Sequence, residues 1–360
     1  MTENAISAIR LHQQGIAPHR FTDPAEVVRG LGAMQAQDYH QAVWAIGARL
    51  PEGTLTQVEQ AIAAGQILRT WSQRGTIHFV AAEEAHWRVA LSADRMIAKD
   101  ARRLEELELT HSLIEQCGEH LRRGLAGRNR LTRSALMQYL EDQGISTTGQ
   151  RGYHILVQLA LRGLICIGPQ QDKEQTFALL DEWAPNPRRL TRAESLVELA
   201  RRYFTSHGPA TVQDFAWWAS LTLTDARAGL EGAKPALISE KINDQTYWLT
   251  AAAAVAAANA TTSGLALLPG FDEYLLGYTD RSAILESQHV TKVCPGGNGV
   301  FFPMIVIDGQ IVGTWKRTFK KQTVIISRQP FTHLTPDQSA AFESAARRYA
   351  AFHGLEAVFD

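Results

Sequence analysis

Two glutamines one residue apart, Gln35 and Gln37, have the type and spacing in this sequence most suggestive of chemistry. They follow a predicted helix that begins at Pro24 and precede the apolar residues 43–46, so we expect them in a turn. In an extended segment alternate side chains point to the same side, which brings the two amides together and turns Ala36 away. Because each amide donates and accepts hydrogen bonds, the pattern predicts a paired amide site in a cleft. Ordinary loop glutamines are the alternative.

Three acidic residues are candidates for a supporting role. Asp38 follows Gln37 but would point to the other side of an extended segment, so helix capping or support of the site is its alternative to catalysis. Asp272 and Glu273 are adjacent in a segment that reads as a strand, so at most one of them can face the same cleft, where it would be a candidate general base. A salt bridge with Arg281 or Lys316 is the structural alternative for this pair.

Basic residues with aromatic neighbours recur along the chain, and such side chains suit contacts to phosphate. A solvated surface accounts for any one arginine, whereas the recurrence favours a nucleic acid. The candidates for DNA contacts are Arg69, Arg74, His78, Arg130, Arg133, Arg151, Lys316 and Arg317.

Composition limits the class of protein without choosing among soluble functions. The 360 residues are 45% hydrophobic and carry a formal net charge of −1, so any DNA binding must come from basic residues gathered on one face. Cys117, Cys166 and Cys294 are too far apart for a disulfide framework, and we expect them to be reduced and structural. No zinc-ligand spacing and no glycine-rich phosphate loop occurs, so neither metal nor cofactor is expected.

The start of the chain and its longest apolar tract bear on location. Residues 1–15 lack the apolar core of a signal peptide, and the alanine-rich tract at residues 251–258 is too short to cross a bilayer. We therefore expect a cytoplasmic protein, associated with the bacterial nucleoid during its work, and without a membrane partner.

The elements that must position these residues follow a repeated order. Residues 112–126 predict one helix, Thr132 caps a second, and a Thr-x-x-Gln capping box at residues 147–150 starts a third. Residues 164–180 then read as strand, polar turn and strand. Three helices followed by a hairpin predict a winged helix.

The same order returns further along the chain. Thr211 and Thr222 each start a helix, and residues 235–250 supply a second hairpin. The N-terminal part is a looser copy, with Asp23 and Thr56 opening helices and residues 67–81 forming the hairpin. The basic clusters fall at equivalent places in these units, which strengthens the prediction of DNA contacts.

The last hundred residues change character. Residues 265–278, 300–318 and 322–330 read as strands, and an amphipathic helix is expected over residues 335–353. Residues 295–299 read as a flexible hairpin tip suited to probing a duplex groove, with a plain tight turn as the alternative.

The predicted fold is α+β and mainly helical, with three tandem winged-helix units and a β-rich C-terminal part. The boundaries are 1–105 for the first winged helix with the Gln-Ala-Gln turn, 106–190 for the second, 191–250 for the third and 251–360 for the β-rich part.

Four blocks of sequence resemble the winged-helix DNA glycosylases typified by AlkZ and YcaQ. They are MQAQDYHQAVWAIGAR (34–49), RTWSQRGTIHFV (69–80), LLPGFDEYLLGYTDR (267–281) and IVIDGQIVGTWKRT (305–318). The resemblance implies three winged helices that form a concave, C-shaped surface for double-stranded DNA, and excision of alkylated purines or unhooking of interstrand crosslinks. It also implies that Gln35 and Gln37 form the active-site motif, because the AlkZ branch has Gln-x-Gln whereas the YcaQ branch has Asp at the second position.

Amides are compatible with this chemistry only for particular lesions. A glutamine cannot act as a general base near neutral pH, but a purine alkylated on its imidazole ring is cationic and leaves as a neutral base, without a general acid. Two preorganised amide oxygens can hold the attacking water and stabilise the positively charged sugar. We therefore expect a monofunctional glycosylase for cationic or bulky alkylated purines that uses no metal and no cofactor and requires no protein partner.

A second hypothesis comes from a different class. Winged helices mostly bind DNA without catalysis, so a regulator is the alternative, and a related protein devoted to resistance against one genotoxin is the third. A regulator usually dimerises on repeated half-sites, whereas three dissimilar units lie in one chain here. The enzyme is therefore favoured.

Overall fold

The computed structural model describes residues 3–259 and 264–360. Within the chain two compact units are distinguished. Unit 1 consists of Met1–Val58 together with Leu196–Asp360, and unit 2 consists of Glu59–Ser195. Unit 1 is thus built from two separate stretches of sequence. The four-segment division predicted above describes modules rather than these units, and it stays a prediction.

Helices account for much of the chain. They are α1 (Glu3–Gln13), α2 (Pro24–Leu31), α3 (Tyr39–Gly47), α4 (Leu55–Ala63), α5 (Ala85–Glu106), α6 (His111–Gly124), α7 (Arg133–Asp142), α8 (Arg151–Leu161), α9 (Leu180–Trp183), α10 (Arg192–Ser206), α11 (Val212–Ala219), α12 (Leu223–Ala233), α13 (Ala251–Asn259), α14 (Glu273–Leu276), α15 (Val290–Val293) and α16 (Pro336–Phe352). Among the described residues, none of these helices combines the length and the hydrophobicity needed to cross a membrane.

The strands are mostly short. They are β1 (Met34–Gln35), β2 (Ile67–Trp71), β3 (Ile77–Ala81), β4 (Leu131–Thr132), β5 (Ile165–Ile167), β6 (Thr176–Leu179), β7 (Ile238–Ile242), β8 (Gln245–Leu249), β9 (Leu265–Leu268), β10 (Met304–Ile307), β11 (Gln310–Phe319), β12 (Thr323–Pro330) and β13 (Glu356–Phe359).

Unit 2 combines α5–α9 with an antiparallel sheet in the order β3-β2-β5-β6-β4. Two of its helices, α6 and α7, start where the sequence supplies caps. The Thr110 side chain accepts a hydrogen bond from the amide of Leu113, and the Thr132 side chain accepts one from the amide of Ala135. Both strands of the β2–β3 hairpin are buried along their whole length. Alternate residues of each strand therefore do not divide into a solvent-exposed face and a buried face.

Unit 1 contains the two-stranded β7–β8 hairpin and a larger sheet in the order β13-β12-β11-β10-β9. Pairing in the larger sheet is antiparallel except between β12 and β13. Helix α16 begins at a capping box between Thr335 and Gln338. Its Tyr349 ring lies with its centroid 4.9 Å from that of Trp315 in β11 and 5.0 Å from that of Trp44 in α3. The C-terminal sheet, α16 and α3 therefore share one aromatic core.

The structure confirms the α+β composition and the strand-rich C-terminal part. The predicted order of three helices and a hairpin is present as α6, α7, α8 with β5–β6, and again as α10, α11, α12 with β7–β8. That each group forms a winged helix stays a prediction. The three cysteines are free and buried, and burial raises the pKa of Cys117 to about 11 and that of Cys166 to about 12.

Four local predictions were wrong. Thr147 does not cap α8, because its amide and hydroxyl both donate to Glu141 and the helix begins after Gln150. Helix α4 starts at Leu55 rather than at Thr56, because Thr54 and Gln57 form the reciprocal hydrogen bonds. The strand expected over residues 265–278 ends at Leu268, and residues 295–297 form a 3₁₀ turn that no paired strands flank.

Candidate active site

The Gln-Ala-Gln turn lies between α2 and α3. Gln35 ends the short strand β1 and is half-buried, whereas Gln37 is exposed. Ala36 between them is 0% exposed. The burial pattern agrees with the predicted alternation, since the middle residue faces the core while its neighbours do not.

The main chain of the turn is fixed by a buried carboxylate. The Gln35 amide donates to Oε1 of Glu273 at 3.1 Å, and the Trp218 indole Nε1 donates to Oε2 of the same side chain at 2.7 Å. Glu273 is 1% exposed. Nε2 of His207 lies 3.5 Å from Oε2, and burial lowers the pKa of this histidine, which favours its neutral form. Glu273 thus accepts from two fixed N–H groups, a strong arrangement for a buried charge.

The neighbouring carboxylate, Asp272, anchors a second buried group. Its two oxygens accept from both terminal nitrogens of Arg49, at 2.9 and 2.8 Å, and both side chains are fully buried. The remaining N–H groups of Arg49 donate to Gln14 and to the Ala45 carbonyl, so the guanidinium is fully hydrogen-bonded. Asp272 also caps α14 by accepting from the amide of Tyr274. A fully paired buried ion pair of this kind fixes the two segments that carry it.

The far end of the turn is held by Asp38. This carboxylate caps α3 by accepting from the amide of Gln41, and it also accepts from the Gln41 side chain at 2.9 Å. The Gln41 side-chain carbonyl in turn accepts from the amide of Gly270 at 2.5 Å. A Cβ at Gly270 would come within 2.2 Å of the Phe301 carbonyl, so only glycine permits this close approach.

Residues 34–49 and 267–281 therefore form one structure, with contacts on both sides of the Gln-Ala-Gln turn. Sequence reasoning selected Asp38, Asp272 and Glu273 but missed Arg49, Gln41 and Trp218 as their partners. Arg49 and Gln41 lie within one of the four blocks, which was the available signal. Nothing in the sequence pointed to Trp218.

One residue of the acidic pair does form a salt bridge, as the structural alternative predicted. Its partner is neither Arg281 nor Lys316. Asp272 pairs with Arg49, whereas Arg281 donates to the Leu275 carbonyl and packs against aromatic rings. The two carboxylates do not lie on opposite faces of a strand, as the alternation predicted, because both lie at the start of a helix. Both carboxylates make their contacts within unit 1, near the Gln-Ala-Gln turn.

Comparison with known proteins decides the family. The model of the AlkZ-like DNA glycosylases matches residues 28–352. The chain belongs to the AlkZ-like DNA glycosylase family. It is a DNA glycosylase, an enzyme that hydrolyses the bond between a base and deoxyribose.

Two individual comparisons add detail. An interstrand DNA cross-link repair glycosylase of Streptomyces sahachiroi is 26% identical over 363 residues, which cover 94% of each protein. The solved structure of the Streptomyces sahachiroi DNA glycosylase AlkZ superposes with a TM-score of 0.83 at 24% identity, over 100% of both chains. This AlkZ-like glycosylase therefore shares the fold of AlkZ along its whole length.

The basic residues chosen for DNA contacts divide by exposure. Arg69 is 1% exposed and His78 is 0% exposed, so neither can reach a phosphate from its position in this structure. Arg130, Arg133 and Lys316 are exposed, whereas Arg74, Arg151 and Arg317 are half-buried. The exposed and the half-buried side chains remain candidates for the glycosylase's DNA contacts.

The buried candidates have internal contacts instead. Nδ1 of His78 lies 3.1 Å from the Ser72 hydroxyl and 3.0 Å from the Thr76 carbonyl, and its Nε2 lies 3.2 Å from a guanidinium nitrogen of Arg74. The guanidinium of Arg69 lies 5.9 Å from the ring centroid of Phe79. Both residues therefore support the β2–β3 hairpin of the glycosylase. Among the described residues no group of three or more His, Cys, Asp or Glu side chains could hold a metal ion.

Proposed function

We propose that this glycosylase is a DNA repair enzyme that removes cationic or bulky alkylated purines, including purines joined in an interstrand crosslink, with Gln35 and Gln37 at the reaction centre. One observation carries the proposal. The three carboxylates near the Gln-Ala-Gln turn are all engaged in structural contacts, Asp38 with Gln41, Asp272 with Arg49 and Glu273 with Gln35 and Trp218.

Because these carboxylates are engaged in structural contacts, the kinds of base that the enzyme can release are limited. A neutral purine is a poor leaving group, and its excision needs an acid or a base with a suitable pKa. A purine alkylated on its imidazole ring carries a positive charge and departs neutral, so the protein needs only to hold water and stabilise the sugar cation. The half-buried amide of Gln35 and the exposed amide of Gln37 suit that task.

The proposed roles follow from the fixed backbone of the turn. Glu273 holds the amide of Gln35 and Asp38 begins α3 directly after Gln37, so both glutamine side chains leave a backbone that is preorganised. We assign Gln35 and Gln37 to positioning the attacking water and the deoxyribose. Asp38, Asp272 and Glu273 are positioning residues, since their oxygens contact protein groups.

The partner is double-stranded DNA carrying such lesions. We propose that the two helix–hairpin groups and the looser N-terminal copy are winged helices forming a concave surface, with the module boundaries predicted from the sequence. Arg74, Arg130, Arg133, Arg151, Lys316 and Arg317 would contact phosphate there. The proposed location is the cytoplasm, at the nucleoid, and the reaction as proposed uses no metal, cofactor or protein partner.

The name of the Streptomyces sahachiroi relative, an interstrand cross-link repair glycosylase, supports the crosslink part of the proposal. A non-catalytic regulator, the rival considered for winged helices, is disfavoured by membership of a glycosylase family.

One assay tests the function directly. Duplexes carrying N7-methylguanine, a nitrogen-mustard crosslink or hypoxanthine are incubated with the protein, and abasic sites are cleaved with alkali. We expect release from the first two substrates and none from hypoxanthine, whose neutral base is a poor leaving group. The Gln35→Ala/Gln37→Ala variant should lose release, whereas Gln143→Ala, at an exposed glutamine after α7, should retain it.

The possible outcomes of this assay test the substrate class and the residue assignment separately. No release from either alkylated duplex would refute the substrate class. Full release by the double glutamine variant would refute the residue assignment, and efficient release of hypoxanthine would show that an acid or base outside the Gln-Ala-Gln turn takes part.

A further inference from the structure

A pocket of about 550 Å³ opens in unit 1 beside the Gln-Ala-Gln turn. Asp38, which directly follows Gln37 in the chain, lies on its wall. Phe319 at the end of β11 and His353 after α16 also line it. We call this space the adduct pocket. Its size falls within the range of small-molecule sites, about 300–1,000 Å³.

The lining of the adduct pocket is largely apolar. Leu55 and Leu355 are half-buried on its surface, and the Phe319 ring is 43% exposed. The Phe319 centroid lies 5.1 Å from that of His353, at an interplanar angle of 78°. An exposed aromatic ring beside a protein–nucleic acid reaction centre is a surface on which a planar group can stack.

His353 supplies a polar atom to this lining. Its Nε2 is buried and has no hydrogen-bond partner among the described residues. Burial, with the positive charge of Arg317 and the nearby His40, lowers the pKa of His353 to about 4, so the ring is neutral near pH 7. A buried and unpaired ring nitrogen is a position where a ligand's donor or acceptor would be favourable.

The charges around the adduct pocket argue against a phosphate as its occupant. Besides the imidazole of His40, its wall carries one guanidinium, that of Arg317, and one carboxylate, that of Asp38, and the neutral ring of His353 adds no positive charge. Sites for phosphate present an excess of positive donors. An uncharged planar group with one polar atom matches these walls better.

We propose that the adduct pocket receives the substituent of the alkylated purine, an uncharged group with an aromatic surface, and that Phe319 and His353 thereby favour bulky over small adducts. The inference rests on the proposed function and deepens it, because Gln35 and Gln37 would act on the glycosidic bond while the adjoining pocket holds the adduct. A methyl group would leave the adduct pocket unfilled.

The first experiment compares rates on two lesions. Single-turnover excision is measured on matched duplexes that carry N7-methylguanine or N7-benzylguanine, with wild type, Phe319→Ala and Phe359→Ala. Phe359 is an aromatic residue of similar exposure, 37%, outside the adduct pocket. Since stacking on one aromatic ring contributes about 1–3 kcal/mol, the ratio of benzyl to methyl rates should fall at least about fivefold in Phe319→Ala. It should not change in Phe359→Ala.

The second experiment does not depend on catalysis. The wild type with ¹⁵N-labelled histidine is titrated with free 7-benzylguanine and, separately, with 7-methylguanine. We expect 7-benzylguanine to shift the His353 ring nitrogen signals in the wild type and to shift them less in Phe319→Ala. The methyl compound should shift them weakly in both proteins.

These readouts distinguish the two proposals. If the wild type excises neither lesion but 7-benzylguanine still shifts His353, the substrate class is wrong and the adduct pocket stands. An unchanged rate ratio in Phe319→Ala overturns the pocket, as does an absence of any His353 shift. A melting temperature close to that of wild type checks that the exposed Phe319 can be removed without unfolding the protein.

Discussion

The main-chain amide of Gln35 donates a 3.1 Å hydrogen bond to Oε1 of Glu273, 238 residues further along the chain. The other carboxylate oxygen accepts from Trp218. The position of the Gln-Ala-Gln turn therefore depends on a buried side chain that takes no part in the proposed chemistry. A substitution at Glu273 should alter the reaction centre by displacing the main chain of the turn.

Glu273→Gln should slow excision while leaving the fold intact. A glutamine has one acceptor oxygen, so either the Gln35 amide or the Trp218 indole would face an NH₂ group. An unmet buried donor costs about 1–3 kcal/mol, and a displacement of about 1 Å at a reaction centre can cost about 100-fold in rate. Urea unfolding and single-turnover excision measure the two effects.

A second substitution tests the geometry behind this expectation. Trp218→Phe removes the indole donor, so in the Glu273→Gln/Trp218→Phe double variant the one remaining side-chain oxygen at position 273 becomes free for the Gln35 amide. The double variant should therefore excise faster than Glu273→Gln alone. Additive rate losses would contradict the shared role of the carboxylate.

Asp272→Asn should destabilise the protein strongly. The substitution leaves the buried Arg49 guanidinium without its opposing charge, and breaking a buried ion pair costs about 3–5 kcal/mol. Glu343→Gln breaks the exposed pair with Arg347 on α16, and exposed pairs contribute about 0–1 kcal/mol. Urea denaturation of both variants should reproduce this contrast. Equal small losses would show that Asp272 is not needed to neutralise Arg49.

Gly270→Ala should disturb the far end of the turn. The new Cβ would approach the Phe301 carbonyl and lie 2.7 Å from the Gln41 side chain, which would break the link between Asp38, Gln41 and Gly270. We expect a loss of stability and a fall in excision rate. Gly264→Ala is the control, since its Cβ would have no neighbour within 4 Å. A wild-type rate in Gly270→Ala would show that this link does not position Gln37.

Stability should depend on pH through His353. Its folded pKa of about 4 is below its ordinary value of 6.5, so on acidification the unfolded chain takes up a proton before the folded protein does. The free energy of unfolding should therefore fall as the pH falls from about 7 towards about 4. His353→Gln should show a shallower fall in urea unfolding over this interval, while His207 contributes equally to both proteins. Identical pH profiles would contradict the depressed pKa.

The sequence determined the local structure where the interacting residues lie within one turn of the chain. Asp23, Thr132, Thr211 and Thr222 cap their helices as predicted, because each cap acts on an amide three residues later. The hairpins at residues 67–81 and 238–249 were also readable, since alternation and turn residues are local signals. The Gln-Ala-Gln pattern was visible for the same reason.

Tertiary structure decided what those residues contact. Asp272 and Glu273 read as part of a strand, but a short helix begins there because Asp272 caps it and pairs with Arg49, 223 residues away. Arg69 and His78 read as phosphate ligands, but the two strands that carry them are buried. The type and spacing of residues determine which hydrogen bonds a segment can make. Which bonds form, and whether a charge meets water or a buried partner, depends on segments that only the folded chain brings together.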